Sequence, residues 1–334
     1  MKDFLVVRNV TKRFAGRANF GQRVAAFLGL EKGLPVVHAV TDVSLKTDQG
    51  QSIGLVGESG CGKSTLARVI AGIFPPSEGE VFIAGERVMT DGAKPRKLTT
   101  RVQIIFQDPF ASLNPRMRVI DTLADGPVAH GLTTRREADS YVAGWLKRVG
   151  MDPESRNRYP HQFSGGQRQR IAIARALAMQ PDTLVCDEPV ASLDVSIQAQ
   201  IINLLMDLQR DLNLTVLFIS HDLAVVRHLC ARVAIMYLGR IVEEGPTETV
   251  YTDPQHPYTK ALLESIPKLV LKGDELVSFR PIQGELPSPI DIPPGCAFHT
   301  RCPYQTEACR QTTPALTDRG NGRSVACLLN GLPQ

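Results

Sequence analysis

The chain is short of aromatic residues, of long apolar runs and of any strong charge bias, and these shortages narrow what it can be. Aromatics are 6% of its 334 residues, yet 43% are hydrophobic and 22% charged, the composition of a globular protein with a core to bury. Disorder is thereby excluded as the default. Basic and acidic side chains number 38 and 34, and a net charge of +4 is too slight to argue for nucleic acid or anionic lipid. No segment approaches the roughly 20 apolar residues of a membrane-spanning helix. The better candidates, such as Val233 to Leu238, have the length of a strand. Met1 to Val10 carries one lysine and a short apolar stretch broken by Arg8, so it lacks the apolar core and cleavage site of a signal peptide. A cytosolic chain that meets a membrane only through partners is expected.

What is present begins with five short apolar runs rich in β-branched residues: Ile53–Val56, Val102–Phe106, Thr183–Cys186, Thr215–Ile219 and Val233–Tyr237. They read as buried strands. Helix-period segments lie between several of them. Tyr141, Val142, Trp145, Leu146 and Val149 share one helical face, and so do Ile197, Ile201, Leu204, Leu205, Leu208 and Leu212. The alternation predicts an α/β sheet domain. From Phe106 to Thr183 no strand pattern occurs, which predicts a helical subdomain, residues 110–180, inserted into the sheet. After about residue 252 the character changes, because 11 of the 23 prolines fall in 253–334. Proline interrupts both ladders and helices, so 253–334 is expected to be a separate loop-rich extension to a domain at 1–252. No internal repeat of useful length is visible.

Gly57-Glu-Ser-Gly-Cys-Gly-Lys-Ser-Thr65 fits the phosphate-binding pattern G-x-x-x-x-G-K-[ST], directly after a strand and before a helix-capable run. Backbone N–H groups of such a loop converge on phosphates, and the following helix adds its dipole. Gly57, Ser59, Gly60, Cys61, Gly62 and Thr65 form the cradle, Lys63 reaches the β- and γ-phosphates, and the Ser64 hydroxyl ligates Mg²⁺. A chance match in a chain this long has a probability on the order of 1%. Asp187 and Glu188 close the strand starting at Thr183, at the end where open parallel sheets bind ligands. An Asp-Glu pair alone is more often a solvated strand end. Paired with the phosphate loop, Asp187 is expected to hold magnesium through water and Glu188 to orient or deprotonate the attacking water.

Phe163-Ser-Gly-Gly-Gln167 completes a pattern that resembles the ABC ATPase family over most of residues 1–250. The resemblance implies a mixed-sheet P-loop ABC ATPase domain in which two such domains pack head-to-tail. Ser164, Gly165, Gly166 and Gln167 then act on the partner's ATP. Ser164 can cap the helix that follows, so its N-terminus faces a γ-phosphate. The same resemblance makes Gln107 the lid glutamine that senses magnesium and the membrane subunit. It makes Asp194 the dimer-loop aspartate, His221 the γ-phosphate contact and Phe14 the aromatic stacked on adenine. Phe163 stands where leucine is commoner. Cys186 reads as a small buried strand residue, and packing is the simplest role for Cys61 inside the loop.

Four stretches are similar to the peptide and nickel importer branch: Gln107 to Arg116, Arg158 to Ser164, Asp194 to Gln200 and His256 to Leu263. In that branch the wording is that of the F-type subunit. This implies a heterodimer with a second ATPase, two permease subunits and an extracytoplasmic solute-binding protein, at the cytoplasmic face of the membrane and without nucleic acid. Peptide is the expected cargo; nickel chelate, opine, glutathione and oligosaccharide stay open. A soluble ABC ATPase acting on ribosomes or DNA would carry tandem domains, a coiled-coil insertion or a basic face, and the chain has none of these.

Cys296, Cys302, Cys309 and Cys327 give the tail the spacing C-x₅-C-x₆-C-x₁₇-C. In a reducing cytosol four thiols in a loop-rich segment point to a metal rather than to disulfides. Zinc usually takes close C-x₂₋₄-C pairs, four-cysteine ligation also suits an iron–sulfur cluster, and free thiols are the third possibility. The branch resemblance implies a [4Fe–4S] cluster on these four residues, structural or regulatory.

Overall fold

The computed structural model describes residues 3–16, 35–90, 92, 94–266, 268–272, 275–278, 282–329 and 331, with side chains at 110, 111 and 268–278 left aside. Most of the insert between Ala15 and Val36 lies outside the described residues. In chain order the elements are β1 (Leu5–Ala15), β2 (Val36–Thr47), β3 (Ser52–Val56), α1 (Lys63–Ile70), β4 (Glu78–Ile83), β5 (Glu86–Arg87) and β6 (Val102–Ile105). Four helices follow: α2 (Pro109–Ser112), α3 (Val119–Ala129), α4 (Ala138–Arg148) and α5 (Gly165–Ala178). The sheet then resumes with β7 (Thr183–Asp187), α6 (Val195–Leu212), β8 (Thr215–Ile219), α7 (Leu223–Leu229), β9 (Arg232–Tyr237) and β10 (Arg240–Pro246). The last part holds α8 (Thr247–Thr252), α9 (Pro257–Glu264), β11 (Lys268–Lys272), β12 (Glu275–Ser278), α10 (Glu307–Gln311), β13 (Thr317–Gly320) and β14 (Arg323–Val325).

The main sheet is mixed, in the order β13-β14-β10-β9-β3-β8-β7-β6. Its centre, from β9 to β6, is parallel, and the strands there are those that read as apolar runs. They are buried on both faces, as a parallel sheet covered by helices requires. A second sheet, β2-β1-β4-β5, is antiparallel throughout. Helix α1 is enclosed between the two, with Leu66, Val69 and Ile70 in one core with Leu5, Val10 and Val43 of the small sheet and Leu217 and Ala234 of the large one. The phosphate loop that precedes α1 is thus anchored from both sides.

Between β6 and β7 every regular element among the described residues is helical. Val142, Trp145 and Leu146 of α4 and Ile171, Ile173 and Leu177 of α5 pack into the core on the opposite face of the main sheet. Helix α5 starts where the sequence signals a start. Ser164 Oγ accepts from Gln167 N at 3.3 Å and Gln167 Oε1 accepts from Ser164 N at 3.1 Å, a reciprocal capping box.

The tail expected to stand apart is joined to this body. Strand β14 pairs antiparallel with β10, and Tyr258, Leu262 and Phe298 belong to the same core as the helices. The junction is a buried ion pair, Glu243 with Arg323 at 3.1 Å, whose carboxylate also accepts from the backbone of Gln255 and His256. A free sheet edge and a set of apolar side chains are both better covered than left in water, whatever the proline content. From 282 to 316 regular structure is limited to a single 3₁₀ turn and α10, as the prolines predict.

Candidate functional site

The site lies at the carboxyl ends of the parallel strands. A cleft of about 320 Å³ there is lined by Phe14, Ser59, Gly60, Gly62, Lys63, Ser64, Thr65, Gln107 and Glu188, all anticipated from sequence. Val37, Ala39 and Pro289 also line it and were not anticipated. Val37 and Ala39 sit on a half-exposed strand with no chemistry to flag them, and Pro289 comes from a segment more than 200 residues away.

The loop's shape follows from its glycines. Gly62 has φ +110°, and a Cβ there would stand 2.1 Å from the Ala39 carbonyl oxygen, so only glycine lets β2 approach the helix start. Lys63, 4% exposed, turns back on its own loop and donates from Nζ to the Gly57 carbonyl at 2.7 Å and the Glu58 carbonyl at 2.9 Å. Gly57 and Cys61 are buried beneath the cleft instead of lining it, and burial pushes the Cys61 thiol up. Cys61 is a packing residue in this geometry.

Two hydrogen-bonded groups face the loop. Ser64 Oγ donates to Asp187 Oδ1 at 2.8 Å, and burial raises the Asp187 carboxyl above its usual range. A hard hydroxyl and a buried carboxylate converging beside a phosphate loop fit a magnesium ion, whose charge would offset that desolvation. Beside them, Gln107 Nε2 donates to Glu188 Oε2 at 3.0 Å, and His221 Nδ1 stands 3.3 Å from the same oxygen. Glu188 follows β7 with φ +48°, its N–H donating to Ile219 O at 3.0 Å. A left-handed non-glycine residue costs about 1–3 kcal/mol and is held only by surrounding structure. Its carboxylate is thereby turned to meet side chains from two other strand ends.

Ser164, Gly165, Gly166 and Gln167 do not line the cleft. Gly166 lies against the start of α6: a Cβ there would stand 2.6 Å from Ile197 Cγ2. Asp194 is the N-cap residue of α6, and Val195 beside it is 82% exposed. Phe14 lines the cleft but packs its ring edge-on against Phe74 at 5.5 Å.

Cys296, Cys302 and Cys327 are half-buried and Cys309 is buried. Burial pushes the Cys296 thiol up to about 11, and the charges of the other three thiols add to the rise. Among the described residues no three His, Cys, Asp or Glu side chains close on one point as a lone metal ion requires.

Comparison with known proteins agrees with this geometry. The model of the ABC transporter family matches residues 40–191, and that of the oligopeptide/dipeptide transporter C-terminal region matches 242–309. The di/tripeptide transport ATP-binding protein DppF of Pseudomonas aeruginosa is 49% identical over 300 residues, 90% of this chain and 92% of that protein. The oligopeptide transport ATP-binding protein AppF of Bacillus subtilis is 43% identical over 330 residues, 98% of each. Among solved structures, the dimeric post-hydrolysis ATP-binding cassette MJ0796 with ADP and Pi superposes with a TM-score of 0.60 at 27% identity, covering 73% of this chain and 98% of that one. The cbiO1 structure from Clostridium perfringens, part of the ABC transporter complex cbiONQ, gives 0.58 at 26% identity, covering 75% and 92%. With a phosphate loop, paired strand-end carboxylates and this extent of identity, the chain belongs to the ABC transporter family as one of its ATP-hydrolysing, ATP-binding proteins.

Proposed function

We propose that the chain drives peptide import, hydrolysing ATP as one of two ATPase subunits on the cytoplasmic face of a membrane transporter. The observation that carries the hydrolytic part is the convergence of Gln107, Glu188 and His221 beside Lys63, Ser64 and Asp187. Lys63 leaves the loop carbonyls for the β- and γ-phosphates, and Phe14 meets the adenine. Ser64, Asp187 and Gln107 would hold magnesium, which would neutralise the phosphate charge when bound. Glu188 orients and deprotonates the attacking water, with its backbone strain holding the carboxylate in place. His221 steadies the γ-phosphate. The signature residues Ser164 to Gln167 lie outside the cleft, which supports their acting on a second subunit's nucleotide, with Asp194 and exposed Val195 at the contact.

Peptide as the cargo is supported by the relatives, whose names state di/tripeptide and oligopeptide transport. No helix of the described residues is long and apolar enough to cross a membrane, so permease subunits supply the path. A groove of about 730 Å³ beside Gln107, lined by Leu98, Phe106, Pro127 and Met179, suits a permease helix. The second ATPase is a different chain, and an extracytoplasmic binding protein delivers the peptide. The domain boundary falls near 252, and Cys296, Cys302, Cys309 and Cys327 hold a [4Fe–4S] cluster. The branch resemblance alone carries that assignment, since among the described residues no three His, Cys, Asp or Glu side chains converge as a metal site would.

Two measurements test this reading. Proteoliposomes containing the chain and its permeases should take up dipeptides only with ATP and the binding protein, and uptake of a nickel chelate instead would overturn the cargo. Anaerobically purified protein should carry about four iron atoms per chain. One zinc, or no metal, would overturn the cluster.

A further inference from the structure

The segment after α9 returns to the phosphate loop at three points. Pro289 lines the nucleotide cleft, and its carbonyl accepts from the His38 N–H at 2.9 Å. Leu286 Cδ2 lies 3.9 Å from where a Cβ on Gly60 would stand. Arg301, whose side chain is 4% exposed, donates from Nη1 to both carboxylate oxygens of Glu58 at 2.9 and 3.1 Å. Glu58 is the second residue of the loop. Its N–H donates to Tyr258 Oη at 2.9 Å and its carbonyl accepts from Lys63 Nζ at 2.9 Å. One guanidinium from the tail therefore fixes the residue whose carbonyl holds the phosphate-neutralising lysine.

Arg301 is in turn placed by the cysteine-bearing segment. It ends the 3₁₀ turn His299–Arg301, which starts on the Cys296 carbonyl: that oxygen accepts from His299 N at 2.9 Å. Cys296 N donates to Cys309 O at 2.8 Å, and Cys302 N donates to His299 O at 3.3 Å. Arg301 Nε donates to Gln283 O at 3.0 Å, and Phe298 at the head of the turn is buried against Tyr237 and Tyr258. The turn has no freedom to move while these contacts stand.

We propose that Arg301 is a positioning residue of the nucleotide site, clamping Glu58 so that ATP affinity depends on the fold of the segment from Cys296 to Cys309. The proposal rests on Gly57 to Thr65 being the ATP site. The pair is buried on the Arg301 side and 24% exposed at Glu58, so loss of the guanidinium leaves the carboxylate free to turn to solvent. Without Arg301, Glu58 swings outward and the loop samples shapes that do not bind phosphate. Apparent affinity then falls by the fraction of loops left competent, while turnover at saturating ATP is unchanged.

The test uses the full chain, measuring affinity for a fluorescent ATP analogue, and the assembled transporter, measuring KM and kcat for ATP. Arg301→Gln is expected to weaken binding and raise KM by about five- to tenfold with kcat unchanged. Arg301→Lys should recover most of the loss. Phe298→Ala, which removes the packing of the turn on Tyr237 and Tyr258, should weaken binding alone and add nothing in the Arg301→Gln background. Unaltered affinity in Arg301→Gln overturns the proposal, as does a lowered thermal midpoint with unchanged KM, the mark of packing alone. Additive losses from Phe298→Ala and Arg301→Gln overturn the dependence on the cysteine segment. Lys63→Ala separates the two readings. Lost binding there beside normal binding in Arg301→Gln sinks only the clamp, whereas normal binding in Lys63→Ala sinks the site.

Discussion

Glu188 is the residue on which the proposed chemistry turns, and its contacts state what its loss should do. It accepts from Gln107 and faces His221, and its backbone is held at φ +48° by the bond to Ile219. Glu188→Gln keeps the shape and the hydrogen bonds but removes the base. ATP turnover is expected to fall by about 100-fold or more while nucleotide binding persists. The variant should therefore accumulate as an ATP-bound dimer, read by gel filtration with and without ATP. Outside the cleft lining, buried His256 presents a different expectation. Its Nδ1 accepts from Tyr258 N at 3.1 Å, and burial lowers its pKa to about 3 from an ordinary value near 6.5. Glu243, paired with Arg323, accepts from the backbone N–H of His256, and Asp42 and Arg240 line the adjoining cavity. Between those two pH values the unfolded chain binds a proton that the folded chain refuses, so stability falls as pH drops below 6.5. His256→Asn retains an acceptor for Tyr258 N. Its thermal midpoint should fall less steeply than the wild type's between pH 7 and pH 4.5.

At the scale of elements, the buried pair between β10 and β14 is the clearest place to test how the tail is fastened. Arg323→Met leaves the Glu243 carboxylate buried without its cation, a loss of about 3–5 kcal/mol visible as a lowered thermal midpoint. Adding Glu243→Gln should recover much of it, because the stranded charge is then gone. The central strands were legible in the sequence because strands buried on both faces read as unbroken apolar runs. β1 and β2 were not. Their pairing has register shifts after Val7, Val10 and Lys12, so the inward–outward alternation that Val43 to Thr47 keep is broken over the rest of the two strands. That the tail packs on the body was not legible in the sequence for a related reason. Proline density reports local irregularity accurately, but it carries no information on whether an irregular segment packs on its neighbours.

For the whole molecule, the proposed reading gives one chain two half-sites that do not meet. The phosphate loop opens into the cleft, which Ser164 to Gln167 do not line, and Gly166 lies against α6, near exposed Val195. Val195→Arg should leave the thermal midpoint of the single chain unaltered, since nothing is buried there. In the Glu188→Gln background it should abolish ATP-dependent pairing, measured by sedimentation velocity. A persisting dimer would move the contact elsewhere. The sequence by itself determined the phosphate loop, the capping box and the order of the motifs, because each is built by adjacent residues whose backbone needs are written locally. Only the tertiary structure decided that Gln107 and His221 meet at Glu188, and that Arg301 crosses 243 positions to hold the loop at Glu58. Contacts between distant segments leave no periodicity to read; they are set by how the two sheets, the helices and the tail share one core.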